Sequence, residues 1–216
     1  MAERVLATSD CERCRPGLVS QPANAASSLA YVVAGAAMLR SARRAGPGNS
    51  TETALAWATM AAGAGSVAYH GPGGAAGRYA HDAGLIAMLG FLALSDAEHL
   101  ARRPLPAGLA LVPLVAAAGA TPRRSATTQA LAGLAATATE AARLLRSARA
   151  GDTPGRRAGT GARRIAGPAM AAGLLAQAFG RTGGPWCRPD SLLQPHALWH
   201  VLTAGALWAR SAGAPR

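Results

Sequence analysis

Two histidines, His196 and His200, stand four residues apart in Gln194-Pro195-His196-Ala197-Leu198-Trp199-His200-Val201-Leu202-Thr203. On a helix this spacing stacks both rings on one face, one turn apart. Two imidazoles so placed can share one metal ion, as in the paired-His helices of zinc enzymes. The neighbouring residues are apolar, and an imidazole inside an apolar helix needs a partner. The pair alone also fits a solvated or a core pair, so its meaning depends on what meets it.

Three more residues have chemistry to offer. Ser66 and His70 close the stretch Ser66-Val67-Ala68-Tyr69-His70 and share a helix face by the same spacing. Asp82 follows a glycine-rich turn in Tyr79-Ala80-His81-Asp82-Ala83-Gly84. Each has a plain reading as well. Ser66 can be a small residue that lets helices approach, His70 can sit among lipid headgroups, and Asp82 can serve a helix N-terminus. An ionisable residue inside an apolar span is nevertheless a functional candidate.

The elements that must position them are apolar. Half of the 216 residues are hydrophobic, 15% are charged and only 4% are aromatic, so apolar character comes from Ala, Leu, Val and Gly. That composition suits close-packed helices in a membrane better than a soluble core of large side chains. Seven segments approach the ~20 residues a bilayer demands. They are Pro22–Leu39, Thr53–His70, Tyr79–Leu100, Leu105–Ala120, Ser125–Leu145, Ile165–Phe179 and Leu192–Ala209. The fifth, with Thr127, Thr128, Gln129 and Glu140, fits the pattern least well. Breaks such as Gly46-Pro47-Gly48 and Gly183-Gly184-Pro185 fall where spans should end. The chain thus reads as all-α, a single seven-helix transmembrane domain over residues 1–216. Residues 1–21 form an N-terminal segment without the apolar core of a signal peptide, and 146–164 form a basic loop.

The net charge is +12 and every basic residue is arginine. Such charge first suggests nucleic acid. Its clusters, among them Arg40, Arg43, Arg44 and Arg156, Arg157, Arg163, Arg164, lie between apolar segments instead. That is the pattern anionic lipid and the positive-inside bias produce, so a membrane is the expected partner and nucleic acid is not. Counting arginines places the N-terminus outside and the C-terminus in the cytoplasm. Cys11, Cys14 and Cys187 then all lie outside. An oxidising exterior permits one disulfide between the N-terminal segment and the loop before the last span. Cys11-x-x-Cys14 can instead be a redox pair or half a zinc ribbon, and three inert thiols remain open.

Seven spans also bring the end of the second, the start of the third and the start of the seventh to one membrane face. Ser66, His70, Asp82, His196 and His200 are expected to converge there. His81, about 100° round the helix from Asp82, is expected to face a neighbouring helix or headgroups. His99, beside Glu98 and Arg102 at the other end, is also expected to bind no metal.

Gly65-Ser66-x-x-x-His70, Asp82 and His196-x-x-x-His200 together resemble the alkaline ceramidase family, part of the CREST group of seven-span membrane hydrolases. Cys11-Glu12 and Gln21-Pro22-Ala23-Asn24-Ala25-Ala26-Ser27-Ser28-Leu29 look like that family's N-terminal motif. From about Ala101 to Gly180 only the hydrophobic pattern matches. The resemblance implies a zinc ion held by His70, His196 and His200, with Ser66 and Asp82 around its water. It implies a disulfide between Cys11 and Cys187, leaving Cys14 as the odd thiol. Relatives of this kind carry an acidic calcium site near the N-terminus. Asp10 and Glu12 resemble part of it, but Gln21 stands where an acidic ligand is expected, which argues against calcium dependence.

The activity so implied is hydrolysis of an amide in a lipid, ceramide or another N-acyl lipid, with Asp82 carrying the proton and Ser66 holding the water or the oxyanion. The competing expectations are a receptor-like membrane protein with a structural zinc, and bis-histidine haem ligation between spans. A basic nucleic-acid binder comes last.

Overall fold

The computed structural model describes residues 7–46, 50–149 and 161–212. These residues form seven α-helices and no strand. They are α1 (Pro22–Arg44), α2 (Ser50–His70), α3 (Gly74–Ala101), α4 (Pro106–Gly119), α5 (Ser125–Arg149), α6 (Gly161–Phe179) and α7 (Pro195–Ala212). Each expected apolar segment falls on one helix. Two of them, α1 and α3, are long and apolar enough by themselves to cross a membrane.

The ends differ from expectation for local reasons. The last helix starts at Pro195 rather than Leu192, because proline's fixed φ suits the first helical position. Leu192 and Leu193 precede it and are 83% and 89% exposed. The fourth is only 14 residues long and carries Pro113 inside. The fifth forms 25 residues of helix despite its polar content. Three of its threonines bond back one turn, Thr128 to the Arg124 carbonyl, Thr137 to that of Gly133 and Thr139 to that of Ala135, so these hydroxyls are satisfied locally. Of the basic stretch 146–164, residues 146–149 are helical and 150–160 lie outside the described residues.

Helix α1 packs against α2 and α7, α2 against α3, α3 against α4 and α5, and α6 against α7. Tyr31, Met38, Leu55, Met88, Phe91 and Leu207 fill the centre. The α2–α3 pair is drawn close by glycine. A Cβ on Gly65 would lie 2.5 Å from the Ala80 carbonyl carbon, and one on Gly84 2.6 Å from the Ala62 Cα. Helices touching backbone to backbone hold the end of α2 beside the start of α3.

A clasp closes this end of the bundle. Cys11 and Cys187 form a disulfide across 5.5 Å between Cα atoms, the pairing the resemblance implies. This excludes a Cys11–Cys14 redox pair. The Cys11 amide donates to the Thr182 hydroxyl at 3.0 Å, and Arg13 grips Asp190 through two bonds of 2.6 and 2.7 Å. That pair is exposed, and the guanidinium holds the Asp190 carboxyl below its ordinary value. The Glu12 carboxylate caps α1 from outside the helix, accepting from the Ala23 and Asn24 amides at 2.9 and 2.8 Å.

At the opposite end, Asp96 is fully buried. It takes Arg143 at 3.0 Å and also pairs with Arg210, while Glu140 binds both arginines. Glu52 accepts from Ser95 at 2.5 Å. These bonds tie α2, α3, α5 and α7 together.

Candidate metal centre

His70 is the last residue of α2, and His196 and His200 occupy the first two turns of α7. All three are buried, at 1%, 6% and 2% exposure. Each offers one ring nitrogen, and the three nitrogens lie within 4.8 Å of one another. The rings meet at angles, with centroids 5.1 Å apart for His70–His196 and 4.4 Å for His196–His200.

What surrounds each ring fixes its tautomer. The Gln21 carboxamide nitrogen donates to the carbonyls of Ala7 and Glu12 at 2.8 and 2.7 Å. Its oxygen therefore faces His70 and accepts Nδ1–H at 2.6 Å. Gln177 of α6 accepts from His196 Nδ1 at 2.7 Å. Ser27 donates to the Asn24 carbonyl at 3.0 Å, which leaves its oxygen to accept from His200 Nδ1 at 2.9 Å. With every Nδ1 donating, every Nε2 carries a lone pair. Nε2 of His70 and Nε2 of His196 are buried and have no hydrogen-bond partner among the described residues. A buried acceptor left unmade is costly, and outer partners on Nδ1 are the usual support of metal-binding imidazoles. The residues therefore fit a metal ion.

A cavity of about 270 Å³ opens beside His196 and His200. Ser66 and Asp82 line it, so the expected five residues come to one end of the bundle. Ser66 is buried, with its oxygen 2.8 Å from the Ser28 hydroxyl. Asp82 sits in the third turn of α3, past any capping position. Its Oδ2 accepts from Ser125 at 2.6 Å, and Gln129 donates to that Ser125 oxygen at 2.8 Å. Its Oδ1 is 2.9 Å from His81 Nδ1.

His81 faces the neighbouring helix α2, one of its two expected settings, with its ring centroid 5.4 Å from that of Tyr69. It turns toward its neighbour's carboxylate and lines the cavity rather than facing headgroups. Its ring centroid is 6.3 Å from that of His70, and it is not one of the three clustered nitrogens. His99 lies at the last turn of α3.

Sequence reasoning missed several supporting residues. Gln177, Ser125 and Gln129 carry no motif. Gln21 stood in the N-terminal motif and as a departure from an acidic residue, with no sign of its bond to His70. Asp10 lines the cavity with Oδ1 3.8 Å from His196 Nδ1, and burial pushes its carboxyl up from the ordinary value.

No known protein family matches the chain, and no curated protein matches its sequence.

Proposed function

We propose that the chain is a zinc-dependent hydrolase of a seven-span membrane bundle that cleaves an amide bond in a lipid. The observation that carries this reading is a cluster of three buried imidazoles, two of which, His196 and His200, line one cavity with the Asp82 carboxylate and the Ser66 hydroxyl. Three histidines with an open fourth position is the donor set of catalytic rather than structural zinc.

The membrane is supported by a reversal of the usual polarity. Leu29 and Val33 of α1, Leu111 and Leu114 of α4, Leu131 and Leu134 of α5, and Leu174 and Leu175 of α6 are all more than half exposed. Gln21, Asn24, Ser28, Thr59 and Asp96 are wholly buried. Apolar side chains turned outward, over an interior that holds polar groups beside its apolar centre, suit hydrocarbon surroundings. The disulfide supports an oxidising compartment at the histidine end, hence an outer N-terminus and an inner C-terminus.

His70, His196 and His200 would hold the ion, which supplies a Lewis acid and makes water acidic near neutral pH. Asp82 takes a proton from the attacking water as its oxygen bonds the amide carbon. As the carbon–nitrogen bond breaks, Asp82 returns that proton to the departing amine. Ser66, whose oxygen already meets Ser28, turns its own hydrogen toward the oxyanion that develops on the carbonyl. Ser125 and His81 keep the carboxylate aimed.

The test is a screen of N-acyl lipids against purified protein, wild type beside His200→Ala, with metal content measured on both. Release of free fatty acid by the wild type alone, in proportion to zinc, supports the reading. Full zinc with no amide cleaved across ceramides and other N-acyl lipids counts against it.

A further inference from the structure

The cavity beside the histidines carries charges of both signs. Arg78 from the second turn of α3 and Arg181 just after α6 both line it. Two carboxylates, Asp10 and Asp82, line it too. Each carboxylate divides itself between an arginine and other partners. Arg78 Nε forms a long ion pair with Asp82 Oδ2 at 3.6 Å, and that oxygen also accepts from Ser125 at 2.6 Å. Asp10 Oδ1 is bonded by Ser9 at 3.0 Å and faces His196. The arginines and carboxylates offset one another, so a divalent ion on the three imidazoles would leave a surplus of positive charge. In a confined site of low dielectric such a surplus attracts an anion strongly.

The apolar side of the same cavity is formed by Ala62, Leu85, Met88 and Trp199. An amphiphile would therefore lie with its acyl chain toward these residues and its head toward the arginines. A volume of about 270 Å³ accommodates a head and the amide, while a long chain must continue beyond it.

We propose that the substrate is an N-acyl lipid bearing a compact oxyanion, a carboxylate or a phosphate, on the amine side of the amide, held by Arg78 and Arg181. Planar guanidinium groups suit either oxyanion, since each can give two parallel bonds. The proposal rests on the amide-hydrolase reading for the bond that is cut. The grip on the anion stands apart from turnover and can be measured without it.

The experiment uses zinc-loaded protein in phosphatidylcholine nanodiscs and three ligands with the same acyl chain: an N-acylglycine, an N-acylethanolamine and the phosphate ester of that ethanolamine. If they are hydrolysed, the ratio of kcat/KM for charged over neutral ligand is read. If they are not, the ratio of Kd is read on the same samples, so a failed hydrolase reading still leaves the anion grip decided. The wild type is expected to favour at least one charged ligand by about tenfold or more, the scale of a hydrogen bond to a charged group. Arg181→Gln should reduce that ratio several-fold, and Arg78→Gln with Arg181→Gln should bring it near one. A wild-type ratio near one, or a ratio unchanged in the double variant, overturns the proposal. The assay is repeated with phosphatidylglycerol in the nanodiscs. Arginines that change only the protein's preference for that lipid, and not the ligand ratio, would be reading bulk headgroups, which also overturns it.

Discussion

Gln21 Oε1 lies 2.6 Å from His70 Nδ1. The same carboxamide donates to two carbonyls of the clasped N-terminal segment, those of Ala7 and Glu12. One buried side chain thus couples the disulfide-held segment to a candidate metal ligand. Gln21→Leu removes both functions at similar size. Zinc affinity, measured by competition with a chelator, should fall about 10- to 100-fold, the usual cost of losing an outer partner. Gln177→Leu should do the same through His196. Unchanged affinity in both variants would show that these bonds do not orient the rings.

Asp82 and Ser125 separate proton transfer from metal binding. Asp82→Asn should keep zinc and lose turnover by about 10²- to 10⁴-fold, the range of general acid–base catalysis. Ser125→Ala should keep zinc and lower kcat about tenfold, because a carboxylate loses a donor. A larger effect on KM than on kcat would place Ser125 in substrate binding rather than in aiming Asp82.

Much of this was legible beforehand, and the limits have physical causes. Apolar stretches bounded by Gly and Pro became helices because such stretches bury or shed water only when their backbone bonds are internal. His196 and His200 shared a face because helix geometry leaves no other choice. The polar residues of the fifth segment counted against it as a span. In the structure Gln129 bonds Ser125 behind Asp82 and Glu140 joins the buried ion cluster, so polarity marked the inward face. Gln177 was illegible, since a glutamine reads the same wherever its helix turns. His81 meets α2, as helix rotation suggests, while its contact with Asp82 is invisible to rotation alone because it depends on the reach of the ring.

The clasp should matter for stability more than for chemistry. Cys11→Ser with Cys187→Ser should cost roughly 2–5 kcal/mol, the usual loss for a native bridge, read as a lower unfolding midpoint. The exposed Arg13–Asp190 pair adds a small pH-dependent part. The Asp190 carboxyl is held below its ordinary value of 3.8, so the pair stabilises above that pH. The contribution is lost as pH falls through the lowered folded value. Asp190→Asn should flatten this acid limb; an unchanged limb would show that the pair contributes nothing.

The buried cluster at the far end is structural in this account. Asp96→Ala leaves Arg210 and Arg143 to Glu140 alone and should destabilise by up to about 3–5 kcal/mol. Zinc content of the protein that folds should not change. Loss of zinc from well-folded Asp96→Ala would reveal a coupling between the two ends that the bonds described above do not provide.

The most direct measurement is metal content. Pure, folded wild-type protein should hold one zinc per chain, and His196→Ala, purified and folded under the same conditions, should hold none. Stoichiometric zinc retained by folded His196→Ala would contradict the three-histidine centre.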